Sequence, residues 1–144
     1  MVPVAGSWSL GQLYVHLIND TKFYLEQAKM AFATDDNSNE SAASFAITLF
    51  QQNAFPEEVI AGDPANAVIP QPASKRQLKD SLVDLKQTVN ELQQLLLTGD
   101  FKGKTKHPGL GYFSAAQWLQ FADMHFRHHL MQKKKIDDLL MSIQ

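Results

Sequence analysis

Apolar residues recur along this chain at helical spacing in three long stretches and one short one. In the first, Leu13, Leu17 and Tyr24 share a wheel face with His16, Asp20 and Gln27 when successive residues advance by about 100°. Ser9 and Gln12 have the spacing of a capping box, and Trp8 and Leu13 are placed to staple it, so a helix is expected from there to about Ala33. Thr34 to Asn39 is a turn-rich break. The short stretch, Ser44 to Phe50 within Glu40 to Gln52, is apolar on too many sides for a clean period. It reads as a short buried helix, with a strand as the alternative.

Pro56, Pro64, Pro70 and Pro72, together with Gly62, exclude a long helix between Asn53 and Ala73. A loop of roughly 20 residues is predicted there, either a crossover between distant helix ends or a lid. Ser74 and Gln77 form a second capping box, behind which Leu78, Leu82, Leu85, Val89, Leu92 and Leu96 repeat in steps of four and three. Gly99 is the expected stop. Phe101 to Phe113, with Gly103, Gly109, Gly111 and the pair His107, Pro108, reads as irregular and lacks the spacing and the Lys-Ser/Thr ending of a phosphate loop.

Ser114 and Gln117 make a third capping box, with Phe113 and Trp118 as its staple, and open the last helix. Trp118, Ala122, His125, His129, Ile136 and Leu140 fall on its inward face with Gln132 beside them, while Asp123, Lys133, Lys134 and Asp137 lie elsewhere. The run Lys133 to Lys135 is a solvated basic face that suits the C-terminal half of a helix. The pattern predicts an all-α four-helix bundle over residues 1–144, a single domain with the Pro-rich loop between its second and third helices.

Composition narrows the chemistry. A chain of 144 residues, 44% of them hydrophobic, can bury one sizeable core. A formal charge of −2 offers no general attraction to nucleic acid or an anionic membrane, and no stretch reaches the roughly 18 apolar residues of a membrane span. The N-terminal residues lack the pattern of a signal peptide, so a soluble cytoplasmic protein is expected. With no Cys, thiolate ligands and a Cys nucleophile are excluded and histidine must carry any soft chemistry.

His125 and His129 stand at i and i+4, where two imidazoles can converge on one ion. If the first and last helices are neighbours, His16 joins them as a third nitrogen donor. Three protein ligands with a position left open is the arrangement of a catalytic zinc-type site, in which an ion activates water or polarises a substrate oxygen. Asp20, one turn from His16, is placed to orient that ring. His128 lies at the edge of the inward face and ranks below His129 as a ligand. Tyr24, Trp118 and Gln132 share the inward surfaces that would line the pocket. The competing reading is a satisfied polar layer in which the histidines bond to neighbours or water.

Trp8 to Gln12 with His16 and Leu17, then His107-Pro108-Gly109-Leu110-Gly111, Gln117-Trp118 and His125-Phe126-Arg127-His128-His129 with Gln132, resemble the DinB/YfiT-like superfamily, in the branch with a His-Pro-x-x-Gly segment before the last helix. The resemblance covers nearly the whole chain and keeps the order of the motifs. It implies a four-helix bundle of up-down-down-up connectivity, a divalent metal held by His16, His125 and His129, and a homodimer. Relatives include metal-dependent hydrolases and transferases that activate a low-molecular-weight thiol, so either reaction on a small-molecule substrate is implied. No residue besides the metal ligands stands out as an independent general base. Three imidazoles suit zinc, nickel or iron, and equally copper. A non-catalytic binding or scaffold bundle with buried histidines is the alternative.

Overall fold

The structure is a computed structural model that describes residues 10–56 and 73–142. The side chains of Leu10, Gln132, Lys135, Ile136, Asp137, Leu139 and Leu140 fall outside that description. So do Trp8 and Ser9 of the first capping box and most of the Pro-rich stretch, residues 57–72.

Among the described residues the chain is mostly helical, in the order α1 (Leu10–Phe32), α2 (Ser44–Gln52), α3 (Lys75–Leu96), β1 (Lys104–His107), β2 (Gly111–Ser114) and α4 (Ala115–Ser142). The two caps that can be inspected behave as their spacing requires. Ser74 Oγ accepts from Gln77 N at 3.0 Å, and the Gln77 side chain accepts from Ala73 N at 3.2 Å, one residue before the position a reciprocal box would use. At α4 the exchange is fully reciprocal: Gln117 N donates to Ser114 Oγ at 3.1 Å and Ser114 N donates to Gln117 Oε1 at 2.8 Å.

α1 packs most extensively on α4 and next on α3, which places the two histidine-bearing helices side by side. Their interface supplies the centre of the core, where Leu25, Ala28, Ala31, Trp118, Phe121 and Ala122 are buried. Leu85 and Leu92 are the buried members of the α3 stripe, with Leu78, Leu82, Val89 and Leu96 partly covered.

Three local expectations are corrected. α2 is helical but only half buried: Ala46 and Leu49 face the core while Phe45 and Ile47 are exposed. The left-handed cap that ends it is Asn53, at φ 54°. Gly99 does not stop α3, which ends at Leu96 with Leu97 as a right-handed cap, and Gly99 is not among the glycines of positive φ.

The segment read as irregular contains an antiparallel hairpin, with Lys104 paired to Ser114 and His107 to Gly111. Strands of four residues are too short to show a period. Their stability comes from docking instead. Tyr112 N donates to Ser41 O and Ala43 N to Leu110 O, so the chain entering α2 adds to the hairpin edge. Lys104 N donates to Asp36 O beyond the end of α1. Gly111, at φ +87°, lets the two backbones meet: a Cβ there would lie 2.6 Å from Ala43 N.

Candidate metal centre

α1 contributes His16 and α4 contributes His125 and His129, and all three are at least nine-tenths buried. Each offers one nitrogen to a group whose members all lie within 4.8 Å of one another. His125 Nε2 and His129 Nε2 are 3.0 Å apart. The ring centroids of His16 stand 5.3 Å from those of His125 and 4.8 Å from those of His129. Helical periodicity explains the pair on α4, and the α1–α4 packing brings in the third.

The electrostatics favour a neutral His125 ring that keeps a lone pair. Burial first, and then the neighbouring His129, His16 and His128, hold His125 far below the ordinary histidine range. Its Nδ1 is buried with no hydrogen-bond partner among the described residues. Nitrogens ligating one ion at about 2.0–2.1 Å in a tetrahedral array stand about 3.3 Å apart, a spacing that the 3.0 Å between His125 and His129 approaches and that lies inside the 4.8 Å spread of the whole set. These three side chains fit a divalent cation.

Asp20 lies at the same place but not behind His16 alone. Its Oδ2 is 3.3 Å from His16 Nε2 and 3.5 Å from His125 Nε2. Tyr24 is buried beside the centre, its ring edge-on to His125 at 5.3 Å. Burial, and secondarily the Asp20 carboxylate, push its phenol above the usual range, so it keeps its proton. Trp118 stacks on Tyr24 at 5.9 Å and so lines the centre from one layer out. His128 is half-buried at the rim, 5.4 Å from the His129 ring, and does not join the three-nitrogen group. Gln132 continues α4 one turn beyond, with its side chain outside the description.

Two neighbours escaped the sequence reading. Phe121 packs edge-on against Tyr24 at 5.0 Å and lies one turn before His125, a spacing that marks it as inward. Phe55 stands edge-on to Phe121 at 5.0 Å and to the His128 ring at 5.6 Å. Only tertiary structure reveals it; it lies two residues after Asn53, whose Oδ1 accepts from Arg127 at 3.0 Å and from Gln120 at 3.1 Å. His107, whose role the sequence left open, lies on the far side of Trp118, its ring stacked on the indole at 5.6 Å.

A mostly helical chain with three buried imidazoles converging from its first and last helices is the kind of protein in which a resident ion is held between helices. Residues 1–132 match the family model of the DinB superfamily, and the chain belongs to that superfamily, whose members are generally metal-dependent. No curated protein and no solved structure matches it.

Proposed function

We propose that this chain is a metal-dependent enzyme of four-helix, up-down-down-up architecture, in which His16, His125 and His129 hold a divalent ion. The observation that carries the proposal is the convergence of three buried imidazoles from α1 and α4 on one point. Bound there, the ion supplies Lewis acidity that activates water for hydrolysis or a low-molecular-weight thiol for transfer. Zinc, nickel and iron all accept such a donor set.

The chain's own residues shape the surroundings. Burial keeps His125 neutral and available as a donor. Tyr24, retaining its proton, forms a polar wall that adds no charge. Phe55 and Phe121 cover the His125 and His128 side with aromatic surface and limit access of water. A small-molecule substrate, a homodimer and a cytoplasmic setting belong to the same proposal.

The test is metal content by mass spectrometry of protein purified without an affinity tag, in the wild type and in His16→Ala and His129→Ala, with circular dichroism as the control for folding. Near-stoichiometric metal in the wild type, lost in both folded variants, supports the site and justifies screening hydrolytic and thiol-transfer substrates. A second reading, a non-catalytic bundle with a polar layer, is favoured by one feature: His125 and His129 are within hydrogen-bonding distance of each other and Asp20 lies near two of the rings. Little metal in any sample, even after reconstitution, would select it.

A further inference from the structure

Resting on the three-histidine reading, we infer that Asp20 is itself a ligand, an oxygen donor that completes a three-nitrogen, one-oxygen set, and not a carboxylate that orients His16 from outside. An orienting carboxylate meets the ring nitrogen turned away from the ion. Asp20 Oδ2 instead lies 3.5 Å from His125 Nε2, the same nitrogen that stands 3.0 Å from His129 Nε2 and therefore faces the cluster. The same oxygen is 3.3 Å from His16 Nε2. One atom thus approaches two imidazoles of the set, and at His125 it does so at the nitrogen that faces His129.

The distances speak for coordination over hydrogen bonding. N–H···O bonds cluster at about 2.9–3.0 Å and seldom exceed about 3.2 Å. Donors that share one ion at about 2.0–2.2 Å are separated by about 3.3–3.6 Å in a tetrahedron and about 2.8–3.1 Å at the edges of an octahedron. The two Asp20 separations, 3.3 and 3.5 Å, lie beyond the hydrogen-bond range and within the tetrahedral edge, while the 3.0 Å between His125 and His129 suits either description. Helix geometry makes the arrangement natural: His16 and Asp20 are one turn apart on α1, as His125 and His129 are on α4, so each helix presents a pair of donors to the other. The Asp20 side chain is 34% exposed against 6% for His16 and 9% for His125, so it is the more solvent-accessible neighbour of those rings. A substrate approaching from solvent therefore meets the ion beside this carboxylate, and the negative donor lowers the net charge the ion presents.

Loading with Co2+ tests the assignment without any substrate. Visible absorption and dissociation constants are compared for the wild type, Asp20→Asn, Asp20→Cys and His129→Ala. The chain contains no cysteine, so a thiolate-to-cobalt charge-transfer band in Asp20→Cys can arise only from position 20. The expected result is that band, together with altered ligand-field bands in Asp20→Asn; the criterion is the spectrum, since loss of a merely orienting carboxylate also weakens binding by about 10–100-fold. A wild-type ligand-field spectrum in Asp20→Asn would overturn the inference even if affinity fell, and loss of Co2+ in His129→Ala would show that the three-histidine reading survived. A wild type that takes up no Co2+ would overturn both.

Discussion

Trp118 of α4 donates its indole N–H to Thr105 Oγ1 of β1 across 2.7 Å, joining the hairpin to the helix that carries two of the converging histidines. The indole is fully buried, between Tyr24 on one side and His107 on the other. Thr105→Val keeps the shape and leaves the buried N–H without an acceptor, which costs about 1–3 kcal/mol. Trp118→Phe loses volume but removes the donor, so the double variant is expected to be less destabilised than the sum of the two single ones. Urea unfolding of the four proteins measures the coupling, and strict additivity would mean that the bond contributes nothing.

Gly103 separates packing from backbone strain. A Cβ there would run into the carbonyl oxygens of Ala31 and Thr34 at the end of α1, and a backbone cannot turn aside as a side chain does. Gly103→Ala is expected to cost about 3 kcal/mol or more, at the upper end of overpacking. Gly109, at φ +121°, has open space around its missing Cβ, so Gly109→Ala meets conformational strain alone, of about 1–3 kcal/mol. Thermal unfolding should rank Gly103→Ala below Gly109→Ala.

What the sequence discloses of this molecule is what repeats locally. The 3.6-residue period placed His16 on one helix and His125 and His129 on another, and the caps at Ser74 and Ser114 could be read from residues three positions apart. Contacts between distant segments could not. The hairpin has strands too short for a period and is held by Ser41, Asp36 and Ala43, about 70 positions upstream. Phe55 meets the His125 and His128 rings just after Asn53, which Arg127 and Gln120 bond from α4, a contact across about 70 positions. Asp20 was legible as a neighbour of His16, but its approach to His125 depends on how α1 and α4 are set against each other.

His107 predicts a pH dependence. Burial pushes its pKa down from 6.5 to about 4, and its Nδ1 is buried with no hydrogen-bond partner among the described residues. The unfolded chain therefore binds more protons than the folded one below pH 6.5. The contribution of this residue to stability is fully present above that value and is lost as pH falls towards about 4. His107→Phe preserves an aromatic ring against Phe113 and Trp118 and removes the titration. Urea midpoints across this range should fall less steeply for the variant than for the wild type, and parallel curves would show that His107 does not carry the dependence.

His125 allows metal binding and structural satisfaction to be told apart in one variant. In the metal-free protein its imidazole is buried and its Nδ1 is unsatisfied, so His125→Leu replaces a polar ring by an apolar side chain that has no such need. The substitution also takes from buried His129 Nε2 a partner at 3.0 Å, so two opposing effects of about 1–3 kcal/mol each nearly cancel and the variant is expected to stay within about 1 kcal/mol of the metal-free wild type. Added metal acts in the opposite direction, since an ion that binds only the folded state stabilises it by about 2.7 kcal/mol at a concentration one hundred times its dissociation constant. Thermal melts of both proteins with and without Co2+ or Zn2+ should therefore show a large metal-dependent rise in the wild type and little in His125→Leu. If His125→Leu is instead much less stable without metal, and neither protein responds to the ion, then the contact between His125 and His129 is a stabilising polar layer and the histidines serve the fold.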